Sequence, residues 1–297
     1  MKRTKKHSCV FALIGLLAVL LVLLPVQTAQ ADGWYWISSN DKYSKFFDPV
    51  SVVTQSSVKT HHGEVPTRID AVTKTTFSYG GAKETIANYR LGHRISNPAN
   101  LGYSIATVSI NPQNRTIQYL NETFFTPQGQ PVWRSGEGGR IKEVNSQEFD
   151  EDFYTAILDQ ATGKDDETNR RTAKDRWLML WEDAAVDGQR TTMMADTTTM
   201  RMKDRNIVFW AWQETKNSNG QVLEIKFMKK AVNPAQGTER TINGKYWSPQ
   251  TNWQALTGDM VNYRMVRATD PRYKGILNLR SYIENHRAWV NRYSLDD

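Results

Sequence analysis

The chain has 297 residues, with 38 Lys and Arg against 31 Asp and Glu and a single cysteine. Four of the basic residues and Cys9 fall in the first nine positions, which leaves the remainder near +3. That balance does not argue for a nucleic-acid partner. The remainder has no thiol to make a disulfide, so its stability must come from a hydrophobic core.

Residues 1–31 read as a secretory signal peptide. Lys2, Arg3, Lys5 and Lys6 precede an apolar run at 9–26, and Ala29-Gln30-Ala31 supplies small residues for cleavage. A retained anchor is the competing reading, because a run of 18 residues reaches the lower limit for a bilayer span. Cys9 has no lipobox before it, and no later stretch is apolar enough to span a membrane. The expected location is therefore extracellular, at the cell surface or in the periplasm.

The first unit is expected over 32–160. It opens with Trp34-Tyr35-Trp36, where strand alternation puts the two tryptophans on one face, read as core, and Tyr35 on the other. The step Phe47-Asp48-Pro49-Val50-Ser51 follows. Strand signals come next at 71–78, 103–110 and 116–125, rich in β-branched and aromatic residues or alternating in polarity. Asn111-Pro112-Gln113-Asn114 is turn chemistry between the last two, which makes them a hairpin. A helix is expected over 146–160, with Phe149, Phe153, Ile157 and Leu158 as its apolar stripe and Asn145 or Ser146 as its cap.

Residues 161–174 read as a polar linker, part of which also fits a helix. Beyond it the same signposts recur in the same order over 175–297. Trp177 to Trp181 mirrors the opening. Ala195-Asp196-Thr197-Thr198-Thr199 mirrors the Asp48 step. Strands at 206–213 and 222–228 follow, then Asn233-Pro234-Ala235-Gln236-Gly237. The Ser248-Pro249-Gln250 turn mirrors Thr126-Pro127-Gln128, and a helix over 277–293 closes the chain. Four signposts in register indicate an internal duplication. The expected fold is α+β: two similar units, each an antiparallel sheet with a C-terminal helix on one face.

These residues carry a resemblance to the surface-adhesin protein E-like family. The matching positions are Trp34 and Trp177, Asp48-x-x-Ser51 and Asp196-x-x-Thr199, the strand bearing Trp210 and Trp212, and Arg115 and Arg240. The resemblance covers nearly all of 33–160 and 175–295 as two tandem units. It implies adhesion to host surface or matrix proteins as a class of function. The chain departs from the family in lacking its cysteine pair and a lipobox.

Few residues suggest chemistry. His61 and His62 are sequence neighbours and would point to opposite faces of a strand, which makes them poor co-ligands. No cofactor, metal site or catalytic set is expected, and no nucleophile elbow, phosphate loop or zinc-protease helix is present. Asp48 and Asp196 are expected to receive backbone N–H bonds at turns, and a shared bond between the repeated Asp and the repeated Arg is a further expectation.

The strand at 206–213 is apolar on both faces, Ile207, Phe209 and Ala211 on one and Val208, Trp210 and Trp212 on the other. A helix covers one; the sister domain, a second protomer or a partner covers the other. Trp210 and Trp212 are therefore the candidate exposed aromatic face. Charge separates the halves, about −2 over 32–160 against about +4 over 175–297. Arg201, Lys203, Arg280 and Arg287 are candidates for attracting an acidic surface, ordinary solvated faces being the competing reading. The expected function is an exported, non-catalytic binding protein making adhesin-like protein contacts. A periplasmic or envelope assembly factor and an unrecognised hydrolase are the alternatives.

Overall fold

The computed structural model describes residues 33–61, 63–136, 139, 141–258 and 260–295. The proposed signal peptide and His62 lie outside the described residues. Two antiparallel sheets with a few helices make up the fold, an α+β arrangement. Among the described residues no helix is long and apolar enough to cross a membrane.

The first sheet is a meander. Strand β1 (Tyr35–Ser39) pairs β2 (Tyr43–Thr60), β2 pairs β3 (Gly63–Phe77), and β4 (Tyr103–Asn111) and β5 (Thr116–Phe125) follow in turn. Short strands β6 (Pro131–Arg134) and β7 (Ile141–Glu143) both pair β5. Helix α2 (Glu151–Thr162) lies on this sheet and buries Phe153, Tyr154, Ile157 and Leu158 against Phe47, Ile69, Val108, Ile110 and Ile117. Alternation along β4 delivers that face: Ser104, Ala106, Val108 and Ile110 are buried and the residues between them are not.

The second sheet is antiparallel as well. Strands β8 (Trp177–Ala184), β9 (Arg190–Asp196), β11 (Asn206–Lys216), β12 (Val222–Asn233) and β13 (Thr238–Trp247) are neighbours in that order. Strand β10 (Arg201–Lys203) pairs β11, while β14 (Gln254–Ala255) and β15 (Arg264–Met265) pair β13. Helix α4 (Tyr273–Asn285) buries Ile276, Leu279 and Tyr282 against Leu180, Trp181, Phe209, Ala211 and Met228. The expected helix over 277–293 begins earlier and breaks at His286, before the short helix α5 (Arg287–Val290).

Local details recur as well. Asp48 accepts the Val50 N–H, Ser51 donates to the Asp48 carbonyl, and the Val72 N–H donates to Ser51 Oγ. Asp196 accepts the Thr198 N–H, Thr199 donates to the Asp196 carbonyl, and the Trp210 N–H donates to Thr199 Oγ1. The expected Asx turns are both present. The Asn-Pro hairpins match too: Asn111 Oδ1 accepts the Asn114 N–H and Asn233 Oδ1 accepts the Gln236 N–H. Each hairpin then passes through a left-handed residue, Arg115 at φ 51° and Gly237 at φ 66°. The carbonyl of each accepts a valine N–H, from Val144 and Val266. The position matching Arg115 is thus Gly237, which corrects the pairing of Arg115 with Arg240.

Three further expectations are corrected. Trp36 is 57% exposed, so the opening tryptophans are not both core. The face that Tyr35 and Ile37 share by alternation is the one toward the core: Tyr35 pairs the buried Phe47 and Ile37 packs on the core, which leaves Trp36 on the opposite face. The residue before α2 is Asp150, with no side-chain cap bond, while Asn145 accepts from Gln147 in the preceding turn. Residues 161–174 are not a solvated spacer throughout: Asp166–Thr172 form helix α3, the helical alternative for part of the stretch, and Glu167 is 2% exposed. The contacts of Trp34–Asp297 make one compact unit rather than dividing at this stretch.

Helix α1 (Tyr79–Asn88), between β3 and β4, has no forecast in the pattern above, because Gly80-Gly81 disfavour a helix. Ser78 caps it by accepting the Gly81 N–H. Gly81 is required by space: a Cβ there would collide with the Lys42 carbonyl oxygen. Gly80 is exposed and has room. Gly81→Ala should therefore cost about 1–3 kcal/mol in urea denaturation, whereas Gly80→Ala should be neutral or stabilise by up to about 1 kcal/mol. Equal effects would remove the Lys42 approach as the reason for Gly81.

Candidate functional site

Arginines and backbone carbonyls join the two sheets. The Thr197 carbonyl of the turn Thr197–Thr199 accepts the Met200 N–H, and side chains from distant segments reach the carbonyls of Thr197, Thr198 and Met200. Arg115 donates to the Thr198 carbonyl at 2.9 Å, from a left-handed position at the tip of the first Asn-Pro hairpin. Arg292 donates to the Thr198 and Met200 carbonyls, and the Trp289 indole to the Thr197 carbonyl. In return, Arg201 Nη1 donates to the Pro112 and Gln113 carbonyls of the first hairpin, both at 3.1 Å.

Carboxylates neutralise most of these cations. Glu167 pairs with Arg292 at 2.7 Å and with Arg115 at 3.6 Å. Glu151 pairs with Arg176 at 2.7 Å and with Arg115 at 3.4 Å. Arg176 also grips Asp196 side-on, with Nε at 3.2 Å from one oxygen and Nη2 at 3.0 Å from the other. The expected bond between repeated Asp and repeated Arg therefore does not form as drawn. Asp196 takes Arg176, Asp48 is absorbed in its turn, and Arg240 donates to the Val261 carbonyl and lies over Tyr263. Burial alone would raise the Glu167 carboxyl, but Arg292 and Arg115 outweigh it and hold it below the usual glutamate range.

Beside this network lies a cleft of about 240 Å³, lined by Gln113 and Arg115 from the first sheet and by Arg201, Lys203 and Trp210 from the second. Glu143, on β7, also lines it, and is held by Lys229 at 2.7 Å and by the Trp210 indole N–H at 3.0 Å. Trp210 is thus not an exposed anchor: it is 9% exposed and stacks on Phe227 at 4.6 Å. What covers this face of β11 is the sister sheet, one of the three covers expected. Ile207, Phe209 and Ala211 face the helix-side core as foreseen.

The aromatic row runs on past that cover. Trp212 lies 6.2 Å from Phe227 and 6.2 Å from Trp253, which is 42% exposed. The Lys245 ammonium sits 5.1 Å from the Trp253 ring. Trp253 and Lys245 were missed in the sequence, where Trp253 reads as part of a turn signpost. The other predicted cations do not converge. Arg280 is tied to the Pro234 carbonyl at 2.7 Å, and Arg287 opens the short helix α5, which packs beside β10. Trp34 and Trp177 are half-buried edge residues, each with a cation over its ring, Lys74 and Arg176.

Among the described residues no group of three or more His, Cys, Asp or Glu is placed to hold a metal. No protein-family model and no curated protein matches the chain.

Glu167→Gln should cost about 3–5 kcal/mol at neutral pH, because it leaves two buried guanidinium groups short of a charge. The Glu167 carboxyl titrates lower folded than unfolded. Its stabilisation is therefore complete above the ordinary glutamate range and is lost as the pH falls through the folded value. Urea midpoints measured across the acid range should fall more steeply for the native chain than for Glu167→Gln. Parallel curves would show that Glu167 is not the titrating link.

Proposed function

We propose that this chain is an exported, non-catalytic binding protein of two tandem α+β units, which contacts a protein partner at the cell surface or envelope through the outer face of its second sheet. The observation that carries the reading is the Trp212–Trp253 pair, which extends the aromatic row beyond the part covered by the first sheet. Aromatic side chains flanked by cations are the usual anchors of protein interfaces. Lys245 supplies such a cation at Trp253.

Two tandem units are supported by the doubled Asp turn, the doubled Asn-Pro hairpin with its left-handed residue, and the doubled bulge in the opening strand pair, at Trp36/Ser38 and Met179/Trp181. The resemblance to surface-adhesin protein E-like units agrees with this reading and adds the class of partner, a host surface or matrix protein.

The test is capture of partners by the chain without residues 1–31 from host-matrix and envelope fractions. Trp212→Ala and Trp253→Ala should each weaken capture roughly 10- to 100-fold, with unchanged circular dichroism. Capture equal to that of the native chain in both variants would sink the proposal. Partitioning of all binding to cell-wall material without protein would favour the envelope-factor alternative.

A further inference from the structure

Arg201 has two nitrogens that the protein does not use. Its Nη1 is spent on the Pro112 and Gln113 carbonyls, while Nε and Nη2 are shielded from solvent and have no hydrogen-bond acceptor. These two share the edge of the guanidinium that grips a carboxylate side-on, through two parallel N–H bonds. The same edge is used elsewhere in this chain. Arg176 turns it on Asp196, Arg68 on Asp70 at 3.0 and 2.9 Å, and Arg272 on Asp270. In each case the acceptor is an aspartate carboxylate.

The surroundings leave Arg201 short of an anion. Its cationic neighbours Arg115 and Arg292 are already matched to Glu151 and Glu167, and Glu143 across the cleft is taken by Lys229 and Trp210. Burial, with Arg292 and Arg115 nearby, pulls the Arg201 guanidinium down to about 10, which still leaves it charged at neutral pH. A buried charged donor without an acceptor is costly. A second orphan lies on the same cleft: Gln113 donates its Nε2 to the Pro66 carbonyl, and its Oε1 has no donor.

We propose that the cleft between the sheets binds a peptide carboxylate. The carboxylate lies side-on against Nε and Nη2 of Arg201, and a neighbouring ligand N–H donates to Gln113 Oε1. A single unmatched guanidinium suits a monoanion with two coplanar oxygens better than a phosphate dianion. Lys203 at the rim adds attraction for the approaching acid. Both orphan groups are shielded from solvent although their residues line the cleft, so a ligand reaches them only after side-chain adjustment. A C-terminal carboxylate and an acidic side chain offer the same chemistry. This inference stands on the seam and is independent of the Trp212–Trp253 face.

The probes are N-acetylglycine, which carries a carboxylate beside an N–H, N-acetylglycinamide, which lacks the charge, and inorganic phosphate. N-acetyl-aspartate amide, with the acid on a side chain, separates the two sources. Binding is read by tryptophan fluorescence, since Trp210 lines the cleft, and by calorimetry. The native chain should bind N-acetylglycine or N-acetyl-aspartate amide saturably, and at least about tenfold better than N-acetylglycinamide or phosphate.

Arg201→Lys keeps the charge but loses the planar fork, and should weaken binding about tenfold or more. Gln113→Leu should weaken it with the charge intact. Trp212→Ala should leave it unchanged, so the failure of the aromatic face and the failure of this site are told apart. A melting curve of each variant establishes that it is folded. If Arg201→Lys does not fold, the Gln113→Leu arm decides. The proposal is overturned if neither carboxylate binds the native chain, if phosphate binds as well as they do, or if folded variants bind as the native chain does.

Discussion

Burial of arginine charge is the constraint on which the rest of this structure depends. A guanidinium leaves water at a large cost unless its donors meet acceptors and its charge meets a carboxylate. Where the two sheets meet, Arg115, Arg176 and Arg292 meet both conditions, drawing on Glu151, Glu167, Asp196 and the carbonyls around Thr197–Thr199. These groups come from several separate stretches of chain. The seam therefore forms only when the first hairpin, α2, α3, the Thr197 turn and the C-terminal segment are all in place. Taking any one away leaves a buried charge unmatched, which ties the folding of one sheet to that of the other.

The hydrophobic cores are by contrast local. Each sheet buries its own helix, through Phe153, Ile157 and Leu158 in one case and Ile276, Leu279 and Tyr282 in the other. A third cluster, around Leu91, Leu101 and Phe124, lies at the α1 end of the first sheet. Along β5, between Phe124 and the helix-covered core, Glu122 accepts from Tyr89, and Tyr119 donates to the buried Asp150. Burial pushes the Glu122 carboxyl up, against the pull of its Tyr89 and Ser104 hydrogen bonds. Apolar packing thus builds each sheet, and polar chemistry positions the sheets and the cleft between them.

Much of the fold was legible because strands announce themselves by period. The run 116–125 is β5 to the residue, and the Asn-Pro turns fix two hairpins. The Asp turns were legible because an Asx side chain acts on backbone two residues away. What depends on contact across the chain was not. Glu167 is one acid in a polar stretch, and nothing local marks it as buried. Arg115 looked like the counterpart of Arg240 by sequence spacing, whereas backbone conformation aligns it with Gly237. Trp36 was misassigned because alternation tells which residues share a face but not which face meets the core, and the core took the Tyr35 and Ile37 face. The candidate site was half visible: Arg201, Lys203 and Trp212 carry chemistry that stands out, while Gln113 and Trp253 acquire theirs from where the fold sets them.

The ionic character of the seam also sets how the molecule should respond to heat. Hydration of charged groups becomes less favourable as temperature rises, so the desolvation penalty of a buried ion network shrinks while hydrophobic stabilisation per unit area levels off. The Arg115–Glu167–Arg292 junction therefore gains relative to the cores on warming. Among the described residues, the charged joint between the sheets is thus the part whose share of the stability grows as the molecule warms.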